Sequence, residues 1–316
     1  MIAICIEASH ARGLGHLFKA VHFAALLRDR NEPFVVLVND DPKAASVLDD
    51  HGIPWRSVPL ADSSSDWESQ LIGELGIEVW LNDRLDTDLK HAERVKRHGV
   101  MLVTVDDRGT GAHLADLHFA PLLICEPAAL GGKRVLTGHR YLILNPEIAR
   151  YKRMRERIGS IVVSLGGSDT YGATLKAVAI LKRLGKGATV IAGPSFRHRE
   201  ELERLIDDRF TLKDAVPSLV EEFHRHDLAV TGGGVTPFEA NACGLPCIVV
   251  ANEEHEIPIA RYLERLGSSL FAGHHGGIDE KVFARELDLA AMSRAGMAQI
   301  DGQGAEEMYR EITRHG

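Results

Sequence analysis

The sequence shows no excess of positive charge. Its 37 lysines and arginines are outnumbered by 45 aspartates and glutamates, and the formal net charge at pH 7 is −8. Proteins that bind nucleic acids usually present clustered lysines and arginines, and the sequence contains no such cluster. We therefore expect no nucleic-acid partner.

Long apolar runs are also missing. No stretch approaches the ~20 consecutive apolar residues that a membrane-spanning helix needs, so we expect no stable membrane insertion. The N-terminal stretch Met1–Ile6 is apolar, but it lacks the basic region and the small-residue cleavage site of a signal peptide. We interpret it as a first strand and expect a cytoplasmic protein.

Cysteine is scarce. The four cysteines are Cys5, Cys125, Cys243 and Cys247, and no two of them have the two-residue separation typical of zinc and redox sites. We expect buried free thiols in a reducing compartment. The 16 histidines lack accompanying ligands at metal-binding spacing, so we expect neither a metal nor another cofactor.

Apolar, strand-like runs alternate with helical patterns along most of the chain. Ile2–Ile6 precedes a predicted helix over Gly15–Arg30 and a second predicted strand over Phe34–Val38. Such alternation indicates a parallel sheet covered by helices on both faces. In sheets of this kind, ligands bind beyond the carboxyl ends of the strands.

The alternation loosens in the middle of the chain and restarts at Ile161. We predict two Rossmann-like α/β domains, residues 1–150 and residues 157–316, joined by the charged segment Lys152–Arg157. Two such domains facing each other form a cleft, which is a common place for a binding site. The helix that begins near Glu306 is able to pack on the first domain or on a second chain, so a monomer and a homodimer are both compatible with the sequence.

A glycine-rich turn carries the clearest binding signal. The stretch Asp227–Pro246 is typical of a strand, a glycine turn, a helix and a further strand. Gly233 and Gly234 allow a sharp turn with exposed backbone N–H groups. Thr236 suits a helix cap, and Glu239 lies one turn further. A helix start behind a glycine turn favours anions. The alternative is an ordinary strand–helix turn with a surface glutamate.

A second glycine turn opens the second predicted domain. Gly166, Gly167 and Ser168 follow an apolar run that ends at Leu165. Their backbone N–H groups are further candidates for contacts with phosphate. The alternative is a plain strand–helix loop in which Ser168 or Asp169 caps the helix.

A glycine loop also follows the first predicted strand. Gly13 and Gly15 allow the backbone to approach a ligand closely, and His16 falls at the start of the next helix. The positive end of the helix dipole disfavours a protonated ring, and a neutral imidazole is suited to act as a general base. The alternative is a helix-capping histidine on a surface loop.

Three aspartates stand at the ends of predicted strands. Asp83, Asp106 and Asp107 lie where we expect an acid or base acting on a sugar. Residues at such positions more often cap the next helix or hold a loop in place. We keep Asp106 and Asp107 as candidates for sugar binding or for orienting a histidine.

Five blocks of sequence resemble motifs of one enzyme family, and they occur in the same order along the chain. The blocks are Gly13–His16, Val105–Asp107, Tyr141–Glu147, Val163–Asp169 and Asp227–Pro246. Together they resemble the PseG-like UDP-sugar hydrolases, which belong with the SpsG- and MurG-like enzymes to the GT-B superfamily.

This resemblance implies a GT-B fold and a UDP-sugar substrate. It implies that Gly233, Gly234 and Thr236 face the diphosphate. It also implies that Glu239 binds the ribose and that His16 activates a water molecule for attack on the anomeric carbon. The implied reaction releases UDP from a diacetamido-trideoxyhexose in the biosynthesis of pseudaminic-type acids or a surface polysaccharide.

The chain departs from the family pattern in three places. Cys5 and Glu7 stand where the family has arginine and aspartate, and Lys19 replaces an arginine. Glu253 and Glu254 fall in a loop where the family has a glutamate–asparagine–glutamine element, and both are sugar-binding candidates. Two alternatives therefore stay open: a MurG-like glycosyltransferase with an alcohol or lipid-linked acceptor, and a nucleotide-sugar-binding protein without catalysis.

Overall fold

Two parallel β-sheets organise the chain. The structure is a computed structural model, and it describes residues 1–8, 15–122, 130–167, 169–193, 195–214 and 216–315. The chain divides into two units: the first comprises Met1–Ile143 with the segment that starts at Gln303, and the second comprises Leu144–Gly302. Each unit has its own sheet and its own apolar core.

The first unit follows the predicted alternation of strands and helices. Its strands are β1 (Ile2–Ile6), β2 (Phe34–Val38), β3 (Trp55–Ser57), β4 (Val79–Asp83), β5 (Met101–Val105), β6 (Leu117–Ala120) and β7 (Arg134–Thr137). Its helices are α1 (Gly15–Asp29), α2 (Pro42–Asp50), α3 (Trp67–Leu75), α4 (Leu89–Arg97) and, from the last segment, α13 (Gly304–His315).

The seven strands of the first sheet are all parallel, in the order β3-β2-β1-β4-β5-β6-β7. The chain builds outward from β1 in one direction and then continues from β4 in the other, which creates a topological switch point between these two strands. Crevices at such points bind ligands in open α/β sheets. Ile6 at the end of β1 pairs with Asp83 at the end of β4, so Asp83 lies at this point.

Helices cover both faces of the first sheet, which explains the apolar character of its strands. All five residues of β1 and of β5 are buried. One apolar cluster contains Phe23 and Leu27 of α1, and a second contains Trp80 and Val95. Strands buried on both faces appear in a sequence as continuous apolar runs, and this is why they were predictable.

The last helix, α13, belongs to the first unit. Its Met308 and Ile312 are buried in the same apolar cluster as Leu27 of α1. A Cβ on Gly304 would lie 2.0 Å from the carbonyl oxygen of Leu142, so the helix start packs directly on the backbone of this unit. The sequence-based division ran the second domain to residue 316 but left open that this helix packs on the first domain, and its apolar face is buried by the first unit.

The second unit repeats the alternation. Its strands are β8 (Ile161–Ser164), β9 (Ala188–Ile191), β10 (Phe210–Lys213), β11 (Leu228–Thr231), β12 (Cys247–Ala251) and β13 (Ser269–His274). Its helices are α5 (Ile148–Tyr151), α6 (Ala173–Arg183), α7 (Arg199–Leu205), α8 (Leu219–His224), α9 (Thr236–Ala242), α10 (Ile257–Arg265), α11 (Glu280–Ala284) and α12 (Leu289–Gln299). Nowhere in the described ranges of the chain does a helix have the length and apolar character needed to cross a membrane.

The second sheet is also parallel, in the order β10-β9-β8-β11-β12-β13. Its switch point lies between β8 and β11. The two glycine turns identified in the sequence follow these two neighbouring strands, so both turns leave the same edge of the sheet. This edge is where a parallel sheet is expected to bind a ligand.

The charged segment after α5, which was predicted as a linker, contains a buried arginine. Arg155 has 1% of its surface exposed. Its guanidinium group donates hydrogen bonds to the carbonyl oxygens of Arg153, Phe223, His226 and Cys243. Arg155 is therefore part of the packed interior of the second unit, whereas Glu156 and Arg157 beside it are exposed.

Candidate functional site

His16 and Asp83 form the clearest pair of functional side chains in the first unit. His16 is the second residue of α1, and Asp83 ends β4 at the switch point. Nδ1 of His16 lies 2.8 Å from Oδ1 of Asp83, and both side chains are largely buried. A carboxylate on Nδ1 fixes the orientation of the ring and favours the tautomer in which Nε2 is the basic nitrogen. This arrangement is suited to an oriented general base.

Lys19 shares the same carboxylate. Its Nζ donates a hydrogen bond of 2.8 Å to Oδ1 of Asp83 from one turn further along α1. Burial alone would raise the pKa of Asp83, but the attraction of Lys19 and His16 outweighs it and lowers the pKa to about 2. Asp83 is therefore ionised at neutral pH and accepts hydrogen bonds from both partners.

Asp106 lies near this pair in a different electrostatic state. It directly follows β5, the strand beside β4. Burial raises the pKa of Asp106 to about 6; the charge of Lys19 opposes this rise, and the charge of Asp83 adds to it. Two neighbouring carboxyl groups whose pKa values are moved apart are able to divide the roles of orienting group and proton carrier.

Asp107 connects two loops of the first unit. Its carboxylate accepts hydrogen bonds from the backbone N–H groups of Thr87 at 3.0 Å and Gly109 at 2.8 Å. It also accepts one from the Thr87 hydroxyl group, which in turn accepts one from Nδ2 of Asn82 at 3.0 Å. Both carboxylate oxygens are thus used within the protein, and Asp107 holds together the loops that follow β4 and β5.

Of the candidate residues in the glycine loops, Gly15 lies within the described residues, whereas Gly13 and Ser168 lie outside them. Gly15 is the first residue of α1, and a Cβ built on it meets no atom within 4 Å, so this position is open.

In the second unit, the glycine turn after β11 has the predicted sharp geometry. Gly232–Gly234 lead into α9, which begins at Thr236 with Pro237 as its second residue. Thr236 is itself helical and makes no side-chain cap bond, so the expected cap is not formed. Gly244 follows the helix with a φ of 76°, as a glycine beyond a helix end commonly does.

A carboxylate of the protein occupies this turn. Oε2 of Glu256 accepts hydrogen bonds from the backbone N–H groups of Gly233 at 3.2 Å and Asn252 at 2.6 Å. A Cβ on Gly233 would lie 2.6 Å from the Cβ of Glu256, so the turn requires glycine at this position. The predicted anion-binding turn therefore does bind an anionic group, and that group is the protein's own.

Glu239 projects from α9 with few partners. Among the described residues its carboxylate accepts one long hydrogen bond, from the backbone N–H of Asn145 to Oε1 at 3.4 Å. Loss of hydration raises the pKa of Glu239 to about 7, and this hydrogen bond offsets the rise only in part. The side chain keeps partial contact with solvent. A carboxylate in this situation gains stability from hydroxyl groups that donate hydrogen bonds to it.

The second glycine turn is capped by its own chain. Asp169 accepts hydrogen bonds of 2.8 Å from the backbone N–H groups of Ala173 and Thr174 at the start of α6. This is the capping alternative that the sequence left open. Gly166 and Gly167 face open space, since a Cβ on either meets no atom within 4 Å. The backbone of these two glycines, rather than the start of α6, is therefore the part of the turn open to a ligand.

The loop after β12 presents two exposed carboxylates, Glu253 and Glu254. Oε1 of Glu253 accepts a hydrogen bond of 2.9 Å from the hydroxyl group of Tyr171, whose ring stacks on His275 with 4.1 Å between centroids. Glu254 begins a short 3-10 turn that ends at Glu256. Glu253 is thus held by the Tyr171 hydroxyl group, whereas the Glu254 side chain makes no hydrogen bond or ion pair within the described residues.

The described side chains form neither a metal-binding cluster nor a reactive thiol. Within the part of the chain that the structure describes, no group of three or more potential ligands is arranged to hold a metal ion. Cys5, Cys243 and Cys247 are buried and free, as predicted. Burial raises the pKa of the Cys5 thiol to about 11 and of the other two to about 12, so these thiols are poorly suited to nucleophilic attack.

Sequence reasoning missed two of these contacts. It considered Asp106 and Asp107 as the carboxylates that orient a histidine, whereas His16 pairs with Asp83 because β4 is the neighbour of β1. The position of Asp83 at a strand end was the available signal. Glu256 was not singled out, and its contact with a turn 23 residues away leaves no local pattern in the sequence.

Two curated proteins are similar to this chain, and no family model matches it. An uncharacterized protein of Methanocaldococcus jannaschii is 22% identical over 277 residues, which cover 80% of this chain and 56% of that protein. The spore coat polysaccharide biosynthesis protein SpsG of Bacillus subtilis is 23% identical over 191 residues, which cover 55% of this chain and 56% of that protein. The chain thus spans about half the length of the curated relatives it matches.

Solved structures resemble the chain over nearly its whole length. MurG of Acinetobacter baumannii has a TM-score of 0.71 at 12% identity and covers 99% of both chains. The spinosyn rhamnosyltransferase SpnG in complex with thymidine diphosphate has a TM-score of 0.64 at 14% identity, covering 99% of this chain and 100% of its own. The S. aureus MnaA–UDP structure has a TM-score of 0.67 at 18% identity, covering 98% and 95%. At these identities the likeness shows the fold, and the predicted GT-B fold is confirmed.

Proposed function

We propose that the chain is a GT-B enzyme that binds a nucleoside diphosphate sugar and transfers the sugar to a nucleophile activated by His16. The observation that carries this proposal is the 2.8 Å contact between Nδ1 of His16 and Oδ1 of Asp83 at the switch point of the first sheet. A buried, ionised aspartate orients the ring, and Nε2 is then the group that removes a proton from the nucleophile.

The second unit supplies the proposed nucleotide site. The structures of SpnG with thymidine diphosphate and of MnaA with UDP support a nucleoside diphosphate as the ligand, since both proteins share the fold of this chain. The backbone donors that we assign to the diphosphate are those of Gly166, Gly167, Gly233, Gly234 and Thr236. We assign the ribose hydroxyl groups to Glu239, because its carboxylate has one weak hydrogen bond within the protein.

The reaction exchanges one bond at the anomeric carbon for another. The nucleophile's oxygen forms a bond to this carbon as the bond to the diphosphate oxygen breaks, and the proton of the nucleophile passes to Nε2 of His16. Preorganised backbone N–H groups stabilise the charge that develops on the leaving diphosphate. Asp106, with a pKa of about 6, is our candidate for a sugar-binding carboxyl group near His16.

An acceptor hydroxyl group is the nucleophile in the main proposal. The rhamnosyltransferase among the structural neighbours supports transfer, and the similarity to SpsG supports a role in polysaccharide biosynthesis. Hydrolysis, with water as the nucleophile, is the second candidate. It is favoured by the five sequence blocks that resemble the PseG-like hydrolases. Glu253 and Glu254 are the proposed sugar-binding side chains of the second unit in either reaction.

Product analysis separates the two reactions. The purified protein is incubated with UDP- and TDP-linked sugars, first in buffer alone and then with alcohol acceptors. Free sugar and nucleotide in buffer alone identify a hydrolase. Nucleotide release that requires an acceptor, with a new glycoside as product, identifies a transferase. Tight binding of nucleotide sugars without any release of nucleotide contradicts the catalytic proposal and favours a binding protein.

Replacement of His16 with alanine should lower kcat by about 10²–10⁴-fold, because the nucleophile loses its general base. Nucleotide affinity, measured by titration calorimetry, should be unchanged, since the proposed nucleotide contacts lie in the second unit. Asp83→Asn should give a smaller loss of kcat, because the ring keeps its base but loses its orienting charge. His22→Ala on the same helix is the matched control. Near-wild-type turnover in His16→Ala would remove this residue from its role.

A further inference from the structure

The glycine turn of the second unit is occupied by a negative charge that belongs to the protein. The backbone N–H groups of Gly233 and Asn252 both point to Oε2 of Glu256, at 3.2 and 2.6 Å. These residues lie in the loops after β11 and β12, which are neighbouring parallel strands. Backbone N–H groups that converge on one point form an anion-binding arrangement. Glu256 thus occupies donors in the turn that we assign to the diphosphate.

The Glu256 carboxylate lacks a cationic partner in the part of the chain that the structure describes. Among the described residues, no lysine, arginine or histidine forms an ion pair with Glu256, and its hydrogen-bond donors are the two neutral backbone N–H groups. The adjacent residues Glu253 and Glu254 add further negative charge on the same loop. A phosphate oxygen brought to the Gly233 N–H group would therefore meet a like charge at contact distance, which is strongly unfavourable in a partly buried site.

The backbone of Glu256 is held close to the turn, while its carboxylate has room to leave. A Cβ on residue 233 would lie 2.6 Å from the Cβ of Glu256, so the two backbones approach this closely only because residue 233 is glycine. Glu256 immediately precedes α10, and its side chain is partly exposed. A change of side-chain rotamer therefore suffices to carry the carboxylate into solvent without movement of the helix.

We propose that Glu256 competes with the ligand's phosphate for the Gly233 N–H group and thereby weakens diphosphate binding. This inference rests on the proposed nucleotide site. A diphosphate must displace the carboxylate from this donor before it binds there, so its affinity is lower than an unoccupied turn would give. An unphosphorylated nucleoside brings no phosphate to the turn, so its binding does not depend on Glu256.

The test compares UDP and uridine as probes in titration calorimetry on the full chain. Glu256→Gln keeps the size of the side chain and removes its charge. We expect it to tighten UDP binding about tenfold, since one like charge is removed at contact distance, and to leave uridine binding unchanged. Glu286→Gln, which removes an exposed carboxylate elsewhere on the second unit, is the matched control and should change UDP affinity less than about twofold. Glu256→Ala should reproduce the tightening if the glutamine variant folds poorly.

The outcomes separate this inference from the function on which it rests. Equal or weaker UDP binding by both Glu256 variants, with UDP binding by the wild type intact, overturns the competitor role and leaves the nucleotide site standing. An equal tightening in Glu286→Gln also overturns it, because the effect would then be one of general charge. Absence of UDP binding in the wild type and in every variant would overturn the proposed nucleotide site together with the competitor role.

Discussion

Asp83 and Glu239 both lose hydration in the fold, yet their pKa values move in opposite directions. Burial raises the pKa of each group, but Asp83 has the charges of Lys19 and His16 beside it, and its pKa falls to about 2. Among the described residues, Glu239 has the backbone N–H of Asn145 as its donor and no cationic partner, and its pKa rises to about 7. At neutral pH one carboxyl group is therefore a fixed charge, and the other is close to its midpoint of titration.

The raised pKa of Glu239 predicts a pH-dependent cost in stability. Because the folded-state pKa of about 7 lies above the ordinary value of 4.5, the folded protein binds more protons between these values, and its stability falls as the pH rises through this window. Glu239→Gln cannot lose a proton. We expect its stability relative to the wild type to increase by about 3 kcal/mol between pH 4.5 and pH 8, measured by urea denaturation.

The control for this measurement is Glu254→Gln, which changes an exposed carboxylate on the same unit. Its stability relative to the wild type should be the same at both pH values. If the difference in the free energy of unfolding between Glu239→Gln and the wild type is also the same at both pH values, Glu239 titrates as an ordinary surface glutamate. That result would also weaken its assignment to the ribose.

At the scale of elements, the ends of α8 and α9 depend on one buried arginine. Arg155 donates to the carbonyl oxygens of Phe223 near the end of α8, at 2.9 Å, and of Cys243 just after α9. Burial, together with the nearby charge of Arg153, lowers the pKa of Arg155 to about 10, so it remains charged at neutral pH. A cation at helix C-termini satisfies their free carbonyl groups and interacts favourably with the helix dipoles.

Arg155→Lys should destabilise the protein by about 2–4 kcal/mol, because an ammonium group cannot reach the four carbonyl oxygens that the planar guanidinium group serves. Chemical denaturation measures the loss. Arg157→Lys, an exposed position in the same segment, should change the free energy of unfolding by less than about 0.5 kcal/mol. Equal effects at the two positions would mean that the segment is an ordinary charged linker.

The elements that could be predicted from the sequence are those whose burial leaves a clear pattern. The central strands are buried on both faces and appear as apolar runs, and they were identified. The strands β7 (Arg134–Thr137) and β13 (Ser269–His274) lie at sheet edges, are only partly buried, and were not predicted. Helix α12 was also missed. It packs on α9 through Gly296, where a Cβ would lie 2.6 Å from the carbonyl oxygen of Asn241, and such a contact leaves no periodic signal.

At the scale of the whole molecule, the repeated strand–helix pattern was sufficient to predict a two-domain GT-B fold. The pattern left open whether α13 (Gly304–His315) packs on the first domain or on a second chain, because an amphipathic helix does not reveal which apolar surface it covers; it packs in the first unit. The site was predictable to a similar extent. Local motifs identified His16 and Gly233, but their partners Asp83 and Glu256 lie 67 and 23 residues away and depend on strand adjacency.

The most direct test of the proposed nucleotide site is titration calorimetry of the full chain with UDP, TDP, GDP and CMP. We expect saturable binding of UDP or TDP at one site per chain, with weaker binding of CMP, because the second unit is proposed to hold a diphosphate. Gly233→Val, whose side chain would collide with Glu256, should lose this binding. Failure of all four nucleotides to bind a folded wild-type protein would contradict the proposed nucleotide site, and with it the central claim that this GT-B fold acts on a nucleotide sugar.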